Sequence, residues 1–449
     1  MSVYTQLVAK VLFPLHEYAK GHGTVAIRRE MERNQWRRPE QISARQVQRL
    51  RVFLKDIGRH VPYYRDLFEQ LEFDPESVSD LSALNALPLL DKTTIRSNSD
   101  LLRADNASSL QSFNTGGSSG EPLVFQLGKE RISHDVAAKW RATRWWNVDI
   151  GDSELVLWGS PIELGSQDRL RLIRDKLFRS RLLSAFELSA AKIAEYLDLI
   201  AAKRPAMLFG YPSAFSLLAE HARRSGKRMD NLGIKVVFVT SERLYDHQRQ
   251  LIEQTFACPV ANGYGGRDAG FIAHQCPQGS LHITADDIVV EILDEAGRAV
   301  PQGTSGEIVV THMATRDFPF VRYRTGDVGA LSASSCSCGR GLPVLASVEG
   351  RSTDFVVAAD GTRIHGLALI YILREMPEVS MFRIEQQSIS LTKVSIVAAN
   401  GFDEASAERI EQGFRQRLGN EVSVEIDLVD SISAEKSGKF RYVVSRVTT

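Results

Sequence analysis

Cysteine is scarce in this chain: 4 residues, Cys258, Cys276, Cys336 and Cys338, among 449. So few in so long a chain exclude a disulfide framework as the source of stability. An excess of charge is also missing. The 55 basic side chains are matched by 55 acidic ones, which argues against a whole-molecule field for nucleic acid or membrane. Long hydrophobic runs are absent too. Met1 to Lys20 contains Val11-Leu12-Phe13, but Lys10, Pro14, His16 and Glu17 interrupt it. The segment fits neither a secretory signal nor a membrane span, and the expected compartment is the cytoplasm. Internal repeats and low-complexity tracts are lacking as well.

What the chain has is apolar content, 43% of its residues, and length for about two to four domains. Residues 26–65 are rich in arginine. Val47, Leu50, Leu54, Ile57 and Val61 alternate spacings of three and four, one face of an amphipathic helix. Arg45, Arg49, Arg51 and Arg59 are then expected mostly on its wet face, and Pro62 ends the helix.

Further on the texture is α/β. Leu155 to Gly159, Met207 to Pro212 and Val236 to Thr240 read as buried strands. Helices are expected at 190–203, 213–225 and from about 242 to 256. Such alternation predicts a parallel sheet with helices on its faces. Ligands of such sheets gather at the carboxyl ends of the strands, where Gly210, Ser241-Glu242 and Tyr264-Gly265-Gly266 fall. From about 281 the pattern turns to β, with strands at 288–293 and 306–311. After 351 a hairpin, helices at 370–376 and 403–418, and strands at 389–398 and 422–429 suffice for a small α+β domain. The expected fold class is α/β. A large domain spans 1–350, with a helical lead-in over 1–80, mixed or parallel sheets and a β-rich part over about 281–350. A small α+β domain spans 351–449.

Thr115-Gly116-Gly117-Ser118-Ser119-Gly120-Glu121-Pro122 is the most informative stretch. Glycine permits backbone N–H groups to converge on one anion, and the hydroxyls of Thr115, Ser118 and Ser119 add donors. The Gly-Lys-Ser/Thr ending of ordinary nucleotide hydrolases is missing, and alone the stretch fits a plain connector as well.

With its neighbours the stretch resembles the adenylate-forming enzymes, in their phenylacetate–coenzyme A ligase and CapK-like branch. The resemblance rests on motifs in sequence order: His60 to Tyr64 and Leu87 to Lys92 as lead-in, Thr115 to Pro122 as phosphate loop, and Gly263-Tyr264-Gly265-Gly266-Arg267-Asp268 as the Tyr-Gly-x-x-Glu motif. Arg322-Tyr323-Arg324-Thr325-Gly326-Asp327 is similar to the Tyr-Arg-Thr-Gly-Asp motif, Gly350 to Asp354 to the hinge, and Ser437-Gly438-Lys439-Phe440-Arg441 to the terminal lysine motif. The resemblance implies that a carboxylate attacks the α-phosphorus of ATP to give an acyl-adenylate and pyrophosphate, and that a thiol, usually of coenzyme A, then displaces AMP. It implies that residues 115–120 cradle phosphates, with Ser241, Glu242, Tyr264, Gly265, Gly266 and Arg267 also lining the nucleotide site. Asp327 would accept ribose hydroxyls, Arg351 reach phosphate or ribose, Asp268 hold Mg²⁺, and Lys439 neutralise charge at the α-phosphate. Rotation of the small domain about Asp354 would exchange the half-reactions. Two positions depart from the family: Glu121 stands where lysine is frequent, and Asp268 is one methylene shorter than the usual glutamate.

The cysteines leave two readings. Cys276, Cys336 and Cys338 with His274 make a Cys₃His set for a structural zinc ion, in which His282 could replace His274; the other reading is reduced thiols without metal. Cys258 reads as a core residue. Trp158, Phe209, Tyr211 and the region of Tyr264 are candidates for the acid pocket; the other reading is ordinary core aromatics. Partners are a small carboxylic acid, ATP and a thiol, amine, sugar or carrier-protein acceptor; a homodimer is compatible, and nucleic acid is not expected. A coenzyme A ligase, an adenylating enzyme with another acceptor, and a nucleotide-binding scaffold without turnover are the functions in contention.

Overall fold

The structure is a computed structural model. It describes residues 2–115, 123–158, 169–185, 188, 190–350, 355–361, 363–432 and 443–447. They fall into two compact units, one built from Met1–Thr115 and Leu123–Gly350, the other lying within Arg351–Thr449.

In the first unit, β1 (Gln111–Asn114) and β2 (Val124–Leu127) form an antiparallel hairpin. A single large sheet follows. Its parallel half contains β3 (Glu154–Leu157), β4 (Ser180–Leu183), β5 (Met207–Gly210), β6 (Val236–Thr240) and β7 (Val260–Gly266). Its antiparallel half contains β8 (Gly270–Gln275), β9 (Leu281–Ile283), β10 (Ile288–Leu293), β11 (Gly306–His312), β12 (Phe320–Leu331) and β13 (Val344–Gly350). Among the described residues the order is β10-β11-β12-β13-β9-β8-β7-β6-β5-β3-β4. The β-rich stretch after 281 is therefore no separate sheet, because β8 turns back antiparallel on β7 and carries the ladder onward. Runs such as Val236-Val237-Phe238-Val239-Thr240 are buried at every position, as a parallel strand covered by helices on both faces requires.

The helix Pro39–His60 begins with proline at its first turn, buries Ile42, Leu50, Phe53, Leu54 and Ile57, and ends before Pro62. Its arginines differ from the expected wet face. Arg49 pairs with the buried Asp287, Arg45 with Glu30, and Arg51 donates to the Val78 carbonyl. Only Arg59 of this set is exposed. Arg49 thus ties the lead-in to the rest of the unit while Arg45 and Arg51 join segments within it, because a long side chain can bury its stem and still reach an acceptor.

The second unit has the hairpin β14 (Phe355–Val357) and β15 (Arg363–His365). Beside it lies a sheet of order β18-β17-β16-β19, made of β16 (Val379–Ser388), β17 (Leu391–Ala398), β18 (Ser423–Leu428) and β19 (Val443–Ser445). Helices Leu367–Arg374 and Glu404–Leu418 contribute Leu369, Leu373, Ile410 and Phe414 to a core shared with Phe382, Ile384, Val394 and Ile396. Among all described residues, no helix is long and apolar enough to cross a membrane.

Candidate active site and metal centre

Three neighbouring parallel strands end on one edge. Gly210 of β5 lies opposite Val239, and Thr240 of β6 opposite Gly263 of β7. Ser241-Glu242 therefore leave β6 beside Tyr264, where β7 runs on against β8. Ser241 has φ +69°, a left-handed conformation rare for a residue with a Cβ and typical of functional turns. Trp158, next after β3, stacks on Tyr211 with centroids 4.5 Å apart. Phe209 also packs against Trp158. Trp158, Phe209 and Tyr211 thus form one cluster at the same edge.

β7 and β8 make a tight hairpin with a bulge between Tyr264 and Gly266. A Cβ at Gly265 would lie 2.1 Å from the Gly270 carbonyl oxygen, so only glycine fits. The turn presents Arg267 and Asp268. β12 runs against β11 with two register shifts, which rotate Tyr323, Thr325 and Asp327 to the positions they need. Two reciprocal bonds then join the motif strands. The Tyr264 hydroxyl donates to Asp327 Oδ2 at 2.9 Å, and the Tyr323 hydroxyl donates to Asp268 Oδ2 at 2.6 Å. Burial and then the Asp327 charge hold the Tyr264 phenol well above its usual range, so it stays a donor. Thr325 Oγ1 donates to the Ile308 carbonyl and accepts from the Asp327 amide. Asp268 Oδ1 accepts the Ala269 amide at 3.0 Å. An ionised carboxylate oxygen can accept more than one bond, so Asp268 keeps capacity for a cation and Asp327 for hydroxyl donors.

Arg131, buried within the helix Lys129–Arg144, was not legible as a site residue. Its guanidinium donates to the carbonyls of Asp268 (3.2 Å) and Arg267 (3.3 Å) and pairs with Asp135 at 3.0 Å. It clamps the turn that presents Asp268. Arg131→Lys is expected to cost about 2 kcal/mol, because a point ammonium leaves buried acceptors unpaired. The unfolding midpoint in urea measures this.

Thr115 closes the neck of the β1–β2 hairpin. Its amide donates to the Leu123 carbonyl, and its Oγ1 accepts the Leu123 amide at 3.0 Å. Arg267, Phe113 and Asn114 line a cavity of about 250 Å³ beside that hairpin, so the Tyr-Gly turn adjoins the strands that carry the glycine-rich segment. Gly116, Gly117, Ser118, Ser119 and Gly120, together with Glu121, Arg351, Asp354 and Lys439, lie outside the described residues.

The cysteine cluster differs from its first ligand set. Cys276, Cys336, Cys338 and His282, not His274, bring one ligand atom each to within 4.8 Å of one another. Cys276 and Cys336 sulfurs are 3.6 Å apart, and Cys338 Sγ lies 3.3 Å from His282 Nε2. Tetrahedral zinc, with its usual bond lengths, sets such separations at roughly 3.8 and 3.5 Å. His282 Nδ1 faces the Leu342 carbonyl at 3.3 Å. A proton held there leaves Nε2 as the ligand nitrogen, the usual outer-shell arrangement. Burial lowers the His282 pKa to about 4, favouring the neutral form a metal takes. Cys258 is a buried thiol pushed up to about 12 by burial.

His274 stacks on Phe271 at 5.5 Å, with neither ring nitrogen hydrogen-bonded. Burial takes its pKa down to about 3. The unfolded chain binds a proton there near pH 6.5 and the folded chain does not. Stability is therefore lost as pH falls from 6.5 toward 3. His274→Phe is expected to remove about 2 kcal/mol of the loss between pH 7 and 5, read from urea midpoints at the two pH values.

Comparison with known proteins places these features. Residues 182–315 match the AMP-binding enzyme family model, and residues 356–446 the CapK C-terminal domain. Protein CapK of Staphylococcus aureus is 22% identical over 90% of this chain and 89% of its own. A phenylacetate–coenzyme A ligase of Pseudomonas putida is 24% identical over 87% and 88%. A 2-hydroxyisobutyryl-CoA ligase, solved with 2-HIB-AMP and CoA, superposes with a TM-score of 0.63 at 22% identity, covering 89% of this chain and 88% of that one; this likeness shows the fold. The AMP-binding match, the CapK C-terminal match and these relatives together make the chain similar, over most of its length, to the adenylate-forming enzymes of the branch holding CapK and the phenylacetate–coenzyme A ligases.

Proposed function

We propose that the chain joins a carboxylic acid to coenzyme A in two half-reactions. The carboxylate oxygen attacks the α-phosphorus of ATP, pyrophosphate leaves, and an acyl-adenylate forms. The thiol of coenzyme A then attacks the acyl carbon, AMP leaves, and the thioester remains. The observation that carries this reading is the double Tyr–carboxylate link between β7 and β12 at the carboxyl edge of the parallel strands, in a chain whose relatives include coenzyme A ligases.

The residue roles follow the chemistry. Asp327, oriented by Tyr264, accepts the ribose hydroxyls. The N–H groups and hydroxyls of residues 115–120 take the outer phosphates, with Arg267 beside their hairpin. Asp268, oriented by Tyr323, would hold Mg²⁺, which shields phosphate oxygens from the incoming carboxylate. Glu242 and Ser241 border the adenine side, and the Trp158–Tyr211 stack borders the acid. Lys439 neutralises charge at the α-phosphate, and Arg351 steadies the nucleotide. Residues 1–350 act as the adenylation domain, and residues 351–449 turn about Asp354 between the half-reactions. Cys276, His282, Cys336 and Cys338 would hold a closed, structural zinc ion with no open position for substrate.

Transfer to an amine, sugar or carrier protein is the second reading. It draws on the match of residues 356–446 to the CapK C-terminal domain. Pyrophosphate release with a panel of aryl and short aliphatic acids, with and without coenzyme A, tests both. Acid-dependent release with thioester formation is expected. Release without thioester moves the assignment to the second reading, and no release with any acid removes both.

A further inference from the structure

The first helical stretch, Val3–Leu7, Val8–Leu12 and Phe13–Lys20, buries one side and leaves the other bare. Thr5, Val8 and Phe13 are buried, and Thr5 Oγ1 donates to Asp152 Oδ1 at 2.9 Å. That anchoring fixes which side faces out. On the outer side Val3, Leu7, Val11, Leu15 and Tyr18 are between 44% and 86% exposed. A row of this length is not the scatter of single apolar residues found on any surface.

A second helix, Arg169–Phe178, lies against it. The Tyr4 hydroxyl donates to the Leu177 carbonyl at 2.8 Å, and the Phe13 and Phe178 rings meet at 5.9 Å. This helix also bares apolar side chains: Leu172, Ile173 and Leu177 are 55%, 57% and 45% exposed.

The charges around these rows are one-sided. Lys10, Lys20, Lys176, Arg179 and Arg181 are exposed, and Arg174 half-buried. Of the acids on the described part of these elements, Glu17 is buried against His16, His22 and Thr24, and Asp175 is paired by Arg174. The chain as a whole carries no net charge, so the excess of exposed cations among the described residues of this face is a local one. Apolar rows flanked by lysine and arginine are the composition of helices that lie in a membrane interface. A second copy meeting this face about a twofold axis would set the same cations against one another.

From this we propose that the face formed by Val3–Lys20 and Arg169–Phe178 docks on an anionic lipid bilayer, with the apolar rows entering the headgroup boundary and the cations contacting lipid phosphates.

Flotation of the full chain with vesicles tests this, independently of any substrate. Vesicles of phosphatidylcholine and phosphatidylglycerol at 2:1 are expected to carry the protein, with release in high salt, whereas pure phosphatidylcholine carries much less. Each basic residue at such a surface contributes roughly a factor of five in partitioning. Arg174→Glu with Lys176→Glu is therefore expected to lower binding at least about tenfold. Leu7→Ser with Leu177→Ser, exposed positions outside the folding core, is expected to do the same, with pyrophosphate release unchanged in both variants. Absence of binding to the anionic vesicles, or binding that neither pair alters, overturns the proposal. So does a stable dimer in light scattering that Leu7→Ser with Leu177→Ser converts to monomer, since a second copy would then be the occupant.

Discussion

Lys439→Ala is expected to lower acid-dependent pyrophosphate release by roughly a hundred- to a thousandfold, the range seen when one group that stabilises developing charge is removed. The argument is electrostatic. An acid anion must approach a polyanion, yet among the described residues the motif turns carry the carboxylates Asp268, Asp327 and Glu242 beside the guanidiniums Arg267 and Arg243. Arg243 donates to the Glu349 carbonyl, and Arg131, behind the Asp268 turn, is committed to Asp135 and two carbonyls. In the proposed reaction further positive charge is supplied from outside these strands, and Lys439 is the cation that the terminal motif would bring. An ammonium serves as a point charge there, so Lys439→Arg should restore only part of the rate. Supplying preformed acyl-adenylate and coenzyme A in a single turnover provides the control. Thioester formation from that adenylate should change far less than adenylation. Equal losses in the two half-reactions would assign Lys439 to folding or docking instead of phosphate chemistry.

Much of this architecture is legible in the chain itself. Val236–Thr240 and Ile288–Leu293 read as strands because β-branched residues fill most of their positions. Helices 190–203 and 404–418 declare themselves by periodicity. β16 does so only in part: Phe382 and Ile384 alternate with Arg383 and Glu385 as a strand should, but the next inward position is Gln386. That glutamine is fully buried because its amide bonds both the N–H and the C=O of Val357, a substitute for a backbone neighbour that no hydropathy pattern reveals. The site divides in the same way. Tyr264, Asp268 and Asp327 are recognisable from motifs, but the crossed pairing with Tyr323 depends on the register shifts of β12. Arg131 is more than a hundred residues from the turn it clamps and has no motif around it. His274 stands two residues before Cys276 and so looks like its knuckle partner. The fold instead packs its ring on Phe271 and gives the ligand position to His282 of β9.

Removal of metal is the perturbation expected to act most strongly on the folded state. Cys276 follows β8, His282 sits in β9, and Cys336 and Cys338 occupy the turn between β12 and β13. An ion bound by all of them would tie the β8–β9 turn region to the β12–β13 turn, 60 residues further along the chain between Cys276 and Cys336. The cluster is also continuous with the lead-in helices. The His282 ring meets Trp145 edge-on at 5.8 Å, the Arg340 guanidinium lies 4.4 Å from the Trp145 ring and 4.8 Å from that of Trp36, and both Trp145 and Arg340 donate to the Gln35 side chain. Without an ion, burial pushes the Cys276 thiol up to about 11, so a neutral thiol occupies a place shaped for a thiolate. If free zinc exceeds its dissociation constant a thousandfold, binding stabilises the folded state by about 4 kcal/mol. In a unit of this size that corresponds to an upward shift in Tm of the order of 5 °C. Stoichiometric zinc in freshly purified protein, a fall in Tm on chelation, and recovery on adding Zn²⁺ are the expected results. Cys336→Ser should show the lowered Tm with little response to chelator. His274→Phe should keep its zinc, whereas His282→Phe should lose it, and this contrast separates the two histidines directly. Protein that contains no zinc and melts identically with and without chelator would return the cluster to the reading of reduced thiols packed by the fold.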